Sequence, residues 1–291
     1  MRDRATAAPM LRLSVAQNAE TSTRTAEMRR PHKTYSGHSN QLEIMMLSPA
    51  QIAQFNRRGF CVIERAMSVQ QLTDVRLAAD ALVEAMLKGE PYPPSHLREG
   101  ETYGAITKSS RLFFSNRCEH FPGFNAFVKG ELVAAIARDI LGPNVFLFNE
   151  QIVVKAPHHG DSFAWHQDSG YVRFKHPAFL TLWCALDDAT RENGTIYVLP
   201  RDINKDPSVT PHEWEDSGAN LVGYRGTEQG EIVEVPAGSI VAFSSLTMHR
   251  TGGNSTDKPR RALVCQYSAA PLLRPETGRP QNRAVQVPVV A

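Results

Sequence analysis

Ten histidines occur in this 291-residue chain, and two of them head His-x-Asp triplets seven residues apart: His159-Gly160-Asp161 and His166-Gln167-Asp168. In an extended strand, positions i and i+2 project to the same side, so either triplet could offer an imidazole and a carboxylate to one metal ion. Their contexts differ. Phe163-Ala164-Trp165 leads into His166 as an apolar, strand-like run, whereas the other triplet follows Pro157, contains a glycine and reads as an exposed turn. A candidate third ligand is His249, 81 residues past Asp168 (249 − 168), where "SIVAFSSLTMHRTGGN" passes from an apolar strand into a Gly-rich turn. Two histidines and one carboxylate on one face of an octahedron suit non-haem Fe(II), and leave positions open for a co-substrate and O2. Arg260 follows His249 by eleven residues (260 − 249), just after Pro259 at the start of a strand. Its planar guanidinium suits bidentate binding of a carboxylate. On that strand Arg260, Ala262, Val264 and Gln266 share one face, and Arg261, Leu263, Cys265 and Tyr267 the other. With the first face inward, Arg260 is a buried cation that needs an anion. Taken singly, each residue has a plainer reading: a satisfied strand-end histidine, or a surface arginine at a strand entry. The combination points to chemistry.

These residues need a scaffold that brings distant strands together. Apolar residues make up 42% of the chain and charged residues 21%, enough for a real core. A net charge of +2 gives no electrostatic footprint for nucleic acid or an anionic membrane, and no apolar run reaches the ~18 residues of a membrane helix. The partner is therefore expected to be a small molecule. Cys61, Cys118, Cys184 and Cys265 are dispersed, with no C-x-x-C pair, which argues against structural zinc or a disulfide framework and fits a reducing cytoplasm.

Residues 1–46 lack apolar periodicity and read as a disordered tail or an over-long start, in preference to a transit peptide. A single domain is expected over 47–280, with a helical part at 47–142 and a β core at 143–275; residues 281–291 read as a tail. In "SPAQIAQFNRRGF" Ser48 caps a helix, Pro49 opens it and Gly59 ends it. "FCVIERA" is a short strand. A second helix spans 68–88, residues 89–110 are a Pro- and Gly-interrupted loop, taken as 89–117 where it is expected to form the substrate pocket with 201–230, and a third helix spans 123–140. From Val145 onward, period-two runs predict strands at "VFLFNEQIVVKA", "FAWHQD", "FLTLWCALDD", "TIYVLP", "EIVEVPAG", "SIVAFSS" and "RALVCQYSA". The order of elements predicts a mainly β fold with buttressing helices and a jelly-roll core. Residues 201–230, with His212, Trp214 and Tyr224, form a long irregular segment that reads either as a lid over a substrate pocket or as a surface Ω-loop. "NGT" at Asn193 and "NST" at Asn254 read as turns.

"LSPAQIAQFNRRGFCVIERAMS", "WHQD", "LTLWCALDDATRENGTIYVLP" and "MHRTGGN…PRRAL" together resemble the phytanoyl-CoA dioxygenase family of Fe(II)/2-oxoglutarate oxygenases, over about residues 47–275. The resemblance implies a double-stranded β-helix (jelly-roll, cupin-like) core with Fe(II) held by His166, Asp168 and His249. It implies that Arg260, helped by Thr251, holds the far carboxylate of the co-substrate 2-oxoglutarate, with Thr181 and Trp183, and also Asn149 and Gln151, lining that pocket. A basic residue ahead of the core is also common in the family; Lys108 and Arg111 are the candidates. The implied reaction couples decarboxylation of 2-oxoglutarate by O2, giving succinate and CO2, to oxidation of a substrate C–H bond. Relatives that halogenate have Gly or Ala in place of the carboxylate, so Asp168 favours hydroxylation. Position alone nominates Tyr171, Arg173, Trp214 and Tyr224 as substrate contacts. The hairpin departs from the family pattern, with Pro200-Arg201-Asp202 where Pro-Gly-Ser-His is usual, at no ligand position. Near-neutral charge disfavours a CoA-binding patch and favours a substrate of secondary metabolism. The alternatives are an acyl-CoA hydroxylase of the same family, a metal-dependent isomerase or other dioxygenase on a similar barrel, and a non-catalytic ligand-binding jelly roll.

Overall fold

Ser48 caps the first helix as expected: its hydroxyl accepts the Gln51 N–H while the Gln51 side chain returns to the Ser48 backbone, a reciprocal capping box for α1 (Pro49–Arg58). The computed structural model describes residues 46–89, 111–158, 161–216, 218 and 220–288, so most of 1–46, Lys108 and His159 lie outside the described residues. Gly59 closes α1 at φ +76°, and its carbonyl takes the Ser244 N–H and the Thr247 hydroxyl. A Cβ there would lie 2.4 Å from Thr247 Oγ1. Gly59→Ala therefore combines left-handed strain with a clash. It should destabilise by more than about 1 kcal/mol, lowering Tm by at least about 2–4 °C in a thermal melt.

After β1 (Phe60–Ile63), the helix α2 (Val69–Leu87) starts from a second capping box at Ser68. There follow β2 (Arg111–Ser115), α3 (Pro122–Val128), α4 (Glu131–Leu141) and β3 (Phe146–Lys155). The single helix expected over 123–140 is two helices, parted at Lys129-Gly130. The α3 helix ends at Lys129 and Gly130 caps α4, where a Cβ would meet the Ala126 carbonyl at 2.5 Å. β2 falls in a stretch expected to be loop. The core continues with β4 (Phe163–His166), β5 (Leu180–Ala185), β6 (Ile196–Leu199), β7 (Glu213–Trp214), β8 (Leu221–Val222), β9 (Glu231–Val233), β10 (Ile240–Ser244), β11 (Met248–Thr251), β12 (Arg260–Ser268) and β13 (Val285–Gln286).

The strands form two principal antiparallel sheets. The larger runs β1-β10-β5-β12-β3-β13, with β2 also paired to β3; the smaller runs β4-β11-β6-β9. Strand alternation sorts the side chains. Leu180, Leu182, Cys184, Leu263, Cys265 and Tyr267 face the helices and join Val75, Leu82, Phe124 and Ile136 in the main core. On the other face Trp183, Ala185 and Ala262 pack with Ile196, Val198 and Val233 of the small sheet in a second core between the sheets. The split expected for the Arg260 strand holds, with the Arg260 face inside the sandwich.

The expected tail from 281 does not hold for its first part. Arg283 pairs at 2.6 Å with Glu150, a fully buried carboxylate that needs a cation. Val285 and Gln286 pair with Leu147 and Phe146, and Val287 is buried. All four cysteines are free and buried, and no described helix is long and apolar enough to cross a membrane.

Candidate metal centre

β4 ends at His166, and Asp168 opens a 3-10 turn over Asp168–Tyr171 instead of continuing the strand. Gln167 between them keeps extended dihedrals (φ −106°, ψ 139°), so the same-side projection of i and i+2 survives the end of the strand. His249 of β11 is the direct ladder partner of His166. The two imidazole Nε2 atoms lie 3.7 Å (His166) and 3.6 Å (His249) from Asp168 Oδ1, and one ligand atom from each residue falls within 4.8 Å of the others. No other His, Cys, Asp or Glu cluster of this kind occurs among the described residues.

The three groups fit a divalent cation chemically as well as spatially. His166 Nδ1 sits 2.8 Å from the Ala164 carbonyl and His249 Nδ1 3.0 Å from the Thr247 carbonyl. A carbonyl only accepts, so each ring donates from Nδ1 and leaves Nε2 as the atom directed at the centre. Burial, and then the neighbouring His249, holds His166 neutral well below its ordinary range, the form a ligand needs. Asp168 Oδ2 accepts from Thr181 Oγ1 at 2.5 Å and from Gln266 Nε2 at 3.0 Å, which leaves Oδ1 for the ion. Thr181, expected in the co-substrate pocket, thus fixes the metal carboxylate. Gln266 was not singled out as a site residue, although its place on the inward face of the Arg260 strand was the available signal. Asn149 donates to Gln266 Oε1 at 2.9 Å and accepts from Asn282 at 3.0 Å, so the C-terminal segment reaches Asp168 through a chain of amides. Gln151 donates to Ser115. Gln266→Leu should weaken Fe(II) binding about 10- to 100-fold, measured by anaerobic metal titration, because it frees the carboxylate to turn.

Gln167, the middle residue of the motif, is fully buried and anchors the long 201–230 segment. Its side chain donates to the Ser208 and Leu246 carbonyls and accepts from the Thr210 N–H, while its backbone N–H donates to His212 Nε2 at 2.9 Å. His212 Nδ1 faces the Thr210 carbonyl at 2.7 Å, so both its ring nitrogens are committed and it is an anchor. Gly170 and Gly223 flank that ring, where a Cβ would come within 2.6 and 2.3 Å of it.

The substrate candidates separate. Tyr171, 42% exposed, stands edge-on to His166 at 5.6 Å, and Trp214, 48% exposed, stands edge-on to Tyr171 at 6.0 Å. Tyr224 is not in this ring cluster: it packs on Trp165 with Tyr197 and Met248, on the face of the small sheet opposite His166. Arg173 is exposed and has no contact with the centre among the described residues. Of the two basic candidates, Arg111 is buried, donates to the Ser162 carbonyl and Asn220 Oδ1, and lies 4.3 Å from the Phe163 ring centre.

Arg260 is 1% exposed, directed into the sandwich, with its guanidinium 5.5 Å from the Trp183 ring centre. It donates to the Gly194 carbonyl at 2.9 Å, and burial lowers its pKa to about 10. Beside it Thr251 accepts a hydrogen bond from Lys155. The three clustered ligand atoms and the buried guanidinium both belong to the interior of the sandwich, the guanidinium against Trp183 on the inward face of the larger sheet.

Comparison with known proteins gives the same picture. The chain is 28% identical over 231 residues to a probable alpha-ketoglutarate-dependent hypophosphite dioxygenase of Stutzerimonas stutzeri, covering 74% of this chain and 78% of that one. It is 24% identical over 254 residues to the ectoine dioxygenase of the same species (strain A1501), covering 79% and 80%. Its fold matches a non-heme alpha ketoglutarate dependent carbocyclase from nogalamycin biosynthesis, with TM-score 0.64, 20% identity and coverage of 84% and 97%. It also matches EctD from S. alaskensis solved with 2-oxoglutarate and 5-hydroxyectoine, with TM-score 0.62, 22% identity and coverage of 85% and 88%. The family model for phytanoyl-CoA dioxygenase (PhyH) matches residues 55–262, a span that holds all three ligands and Arg260, and the chain belongs to that family.

Proposed function

We propose that the protein oxidises a C–H bond of a small organic molecule of secondary metabolism, with Fe(II) on His166, Asp168 and His249 and with the far carboxylate of 2-oxoglutarate on Arg260 and Thr251. The class itself follows from the family: an Fe(II)/2-oxoglutarate-dependent dioxygenase. The observation that carries the assignment of residues is the convergence of two imidazole Nε2 atoms on one free carboxylate oxygen, with a buried guanidinium on the inward face of the larger sheet. When bound, iron and 2-oxoglutarate supply the oxidant formed from O2, with succinate and CO2 as co-products.

The chain's own residues orient and shield. Thr181 and Gln266 hold Asp168 with one oxygen turned to the ion. The Ala164 and Thr247 carbonyls fix the two rings, and Phe243, 4.5 Å from the His249 ring, walls off water. Asp168 fills the position that a halide would need, which supports hydroxylation. Tyr171 and Trp214 stand where an incoming substrate passes, so Trp214→Ala should raise KM more than it lowers kcat. The four free, buried cysteines suit a reducing cytoplasm. The test is succinate release from 2-oxoglutarate across a panel of small metabolites and acyl-CoA thioesters. Substrate-dependent release matched one-to-one by a hydroxylated small molecule is expected, and release only with acyl-CoA would replace the substrate reading.

A further inference from the structure

Arg260 does not stand alone. Lys155, at the end of β3, is its direct ladder partner across the β3–β12 pair, and Arg111 of β2 is the partner of Lys155 on the other side. All three are buried, Lys155 completely so. Like charges set opposite one another on neighbouring strands repel, and burial multiplies the cost. Lys155 makes two hydrogen bonds, to Thr251 Oγ1 at 2.8 Å and to the Gly252 carbonyl, and no carboxylate pairs with Lys155 or Arg260 among the described residues. Arg260 is likewise met by backbone carbonyls, those of Gly194 and Asn193. The charged groups around Lys155 are Arg260 on β12, Arg111 on β2 and Asp161 ahead of β4. Burial, and then the two arginines, pushes the Lys155 ammonium down to about 6. The fold also invests in holding the lysine in place: the buried Asn254 side chain donates to the Lys155, Ala156 and Lys258 carbonyls, stapling the β11–β12 turn to the end of β3.

We propose that Lys155 is a second anchor for the distal carboxylate of 2-oxoglutarate, acting with Arg260 across the β3–β12 ladder and presented by Thr251. The inference rests on the co-substrate reading above. It explains why a fully buried lysine lies on the very hydroxyl assigned to that carboxylate: an arriving anion pairs with Arg260 and favours the protonated form of Lys155, which then donates to it. Three hydrogens on Lys155 Nζ suffice for Thr251, Gly252 and one carboxylate oxygen.

Anaerobic titration of the Fe(II)-loaded protein with 2-oxoglutarate, followed by the visible charge-transfer band of the chelate, tests it. Lys155→Met and Lys155→Gln should raise Kd for 2-oxoglutarate about 10- to 150-fold, the equivalent of a charge-assisted hydrogen bond, with the band position unchanged. Affinity for 2-oxobutyrate, which chelates the metal but has no distal carboxylate, should stay within a few-fold of wild type. The Gln variant retains donors to Thr251 and Gly252 and guards against misfolding. Equal weakening for both acids, with a lowered melting temperature, would show a structural lysine and overturn the proposal, as would an unchanged 2-oxoglutarate Kd. No band in the wild-type protein would overturn the co-substrate reading itself, a different outcome from a wild-type band that Lys155→Met leaves intact.

Discussion

His249→Ala, reconstituted without oxygen, should show no visible band on addition of Fe(II) and 2-oxoglutarate, and turnover should fall by more than about 100-fold. Loss of an outer partner of a metal ligand already costs about 10- to 100-fold, and this change removes one of three ligands. His166 and Asp168 would remain, but two protein ligands do not define a face of the octahedron. The fold should survive. β11 is held by ladder pairing of His249 with His166 on one side and Val198 on the other, and the imidazole takes no part in it. The residual cavity between the Phe243 and His166 rings, 4.5 and 4.3 Å from the His249 ring, costs stability without undoing either sheet. His159→Ala, which alters the other His-x-Asp triplet, should retain a band of wild-type strength. A wild-type band in His249→Ala would remove His249 from the metal, and loss of the band in His159→Ala would show that the wrong triplet had been placed there.

Much of this centre is legible in the sequence because strand periodicity reports facing. It separates the Arg260 face from the Tyr267 face, and the structure keeps that division. Periodicity does not report partners. Thr181 and Trp183 share the inward face of β5, yet Thr181 bonds Asp168 while Trp183 lies against Arg260, a difference set by register with β12, where Gln266 stands opposite Thr181 and Val264 opposite Trp183. Lys155 follows Gln151 by four residues on a strand already assigned, so its inward direction could be read, but its pairing with Arg260 could not. Irregular segments give no facing signal at all. Tyr224 therefore looked equivalent to Trp214, and the amide chain from Asn282 to Asp168 was hidden in a stretch without periodicity. The same holds for Arg283, whose partner Glu150 is 133 residues earlier. β2 is a strand because β3 offers it a ladder; its short sequence carries little period-two information.

Arg260→Met should weaken 2-oxoglutarate binding by about 2–5 kcal/mol, roughly 30- to several-thousand-fold, while leaving the ligand-free protein folded. The two halves of that expectation have separate causes. In the complex, removing the guanidinium strips the far carboxylate of its bidentate partner in a buried site, where an unpaired charge is most costly. In the free protein the balance differs. The Gly194 carbonyl loses its donor, costing about 1–3 kcal/mol, but a buried cation beside Lys155 disappears and methionine fills much of its volume against Trp183. The melting temperature without ligand should change little, whereas the rise produced by a fixed concentration of 2-oxoglutarate should largely vanish, since that rise follows the ratio of ligand to Kd. Combining Arg260→Met with Lys155→Met discriminates further. If both cations grip one carboxylate, the double variant should lose less affinity than the sum of the two single losses, because the second cation has little left to hold once the first is gone. Strict additivity would place Lys155 and Arg260 on different anions, and wild-type affinity in Arg260→Met would remove 2-oxoglutarate from this end of the sandwich.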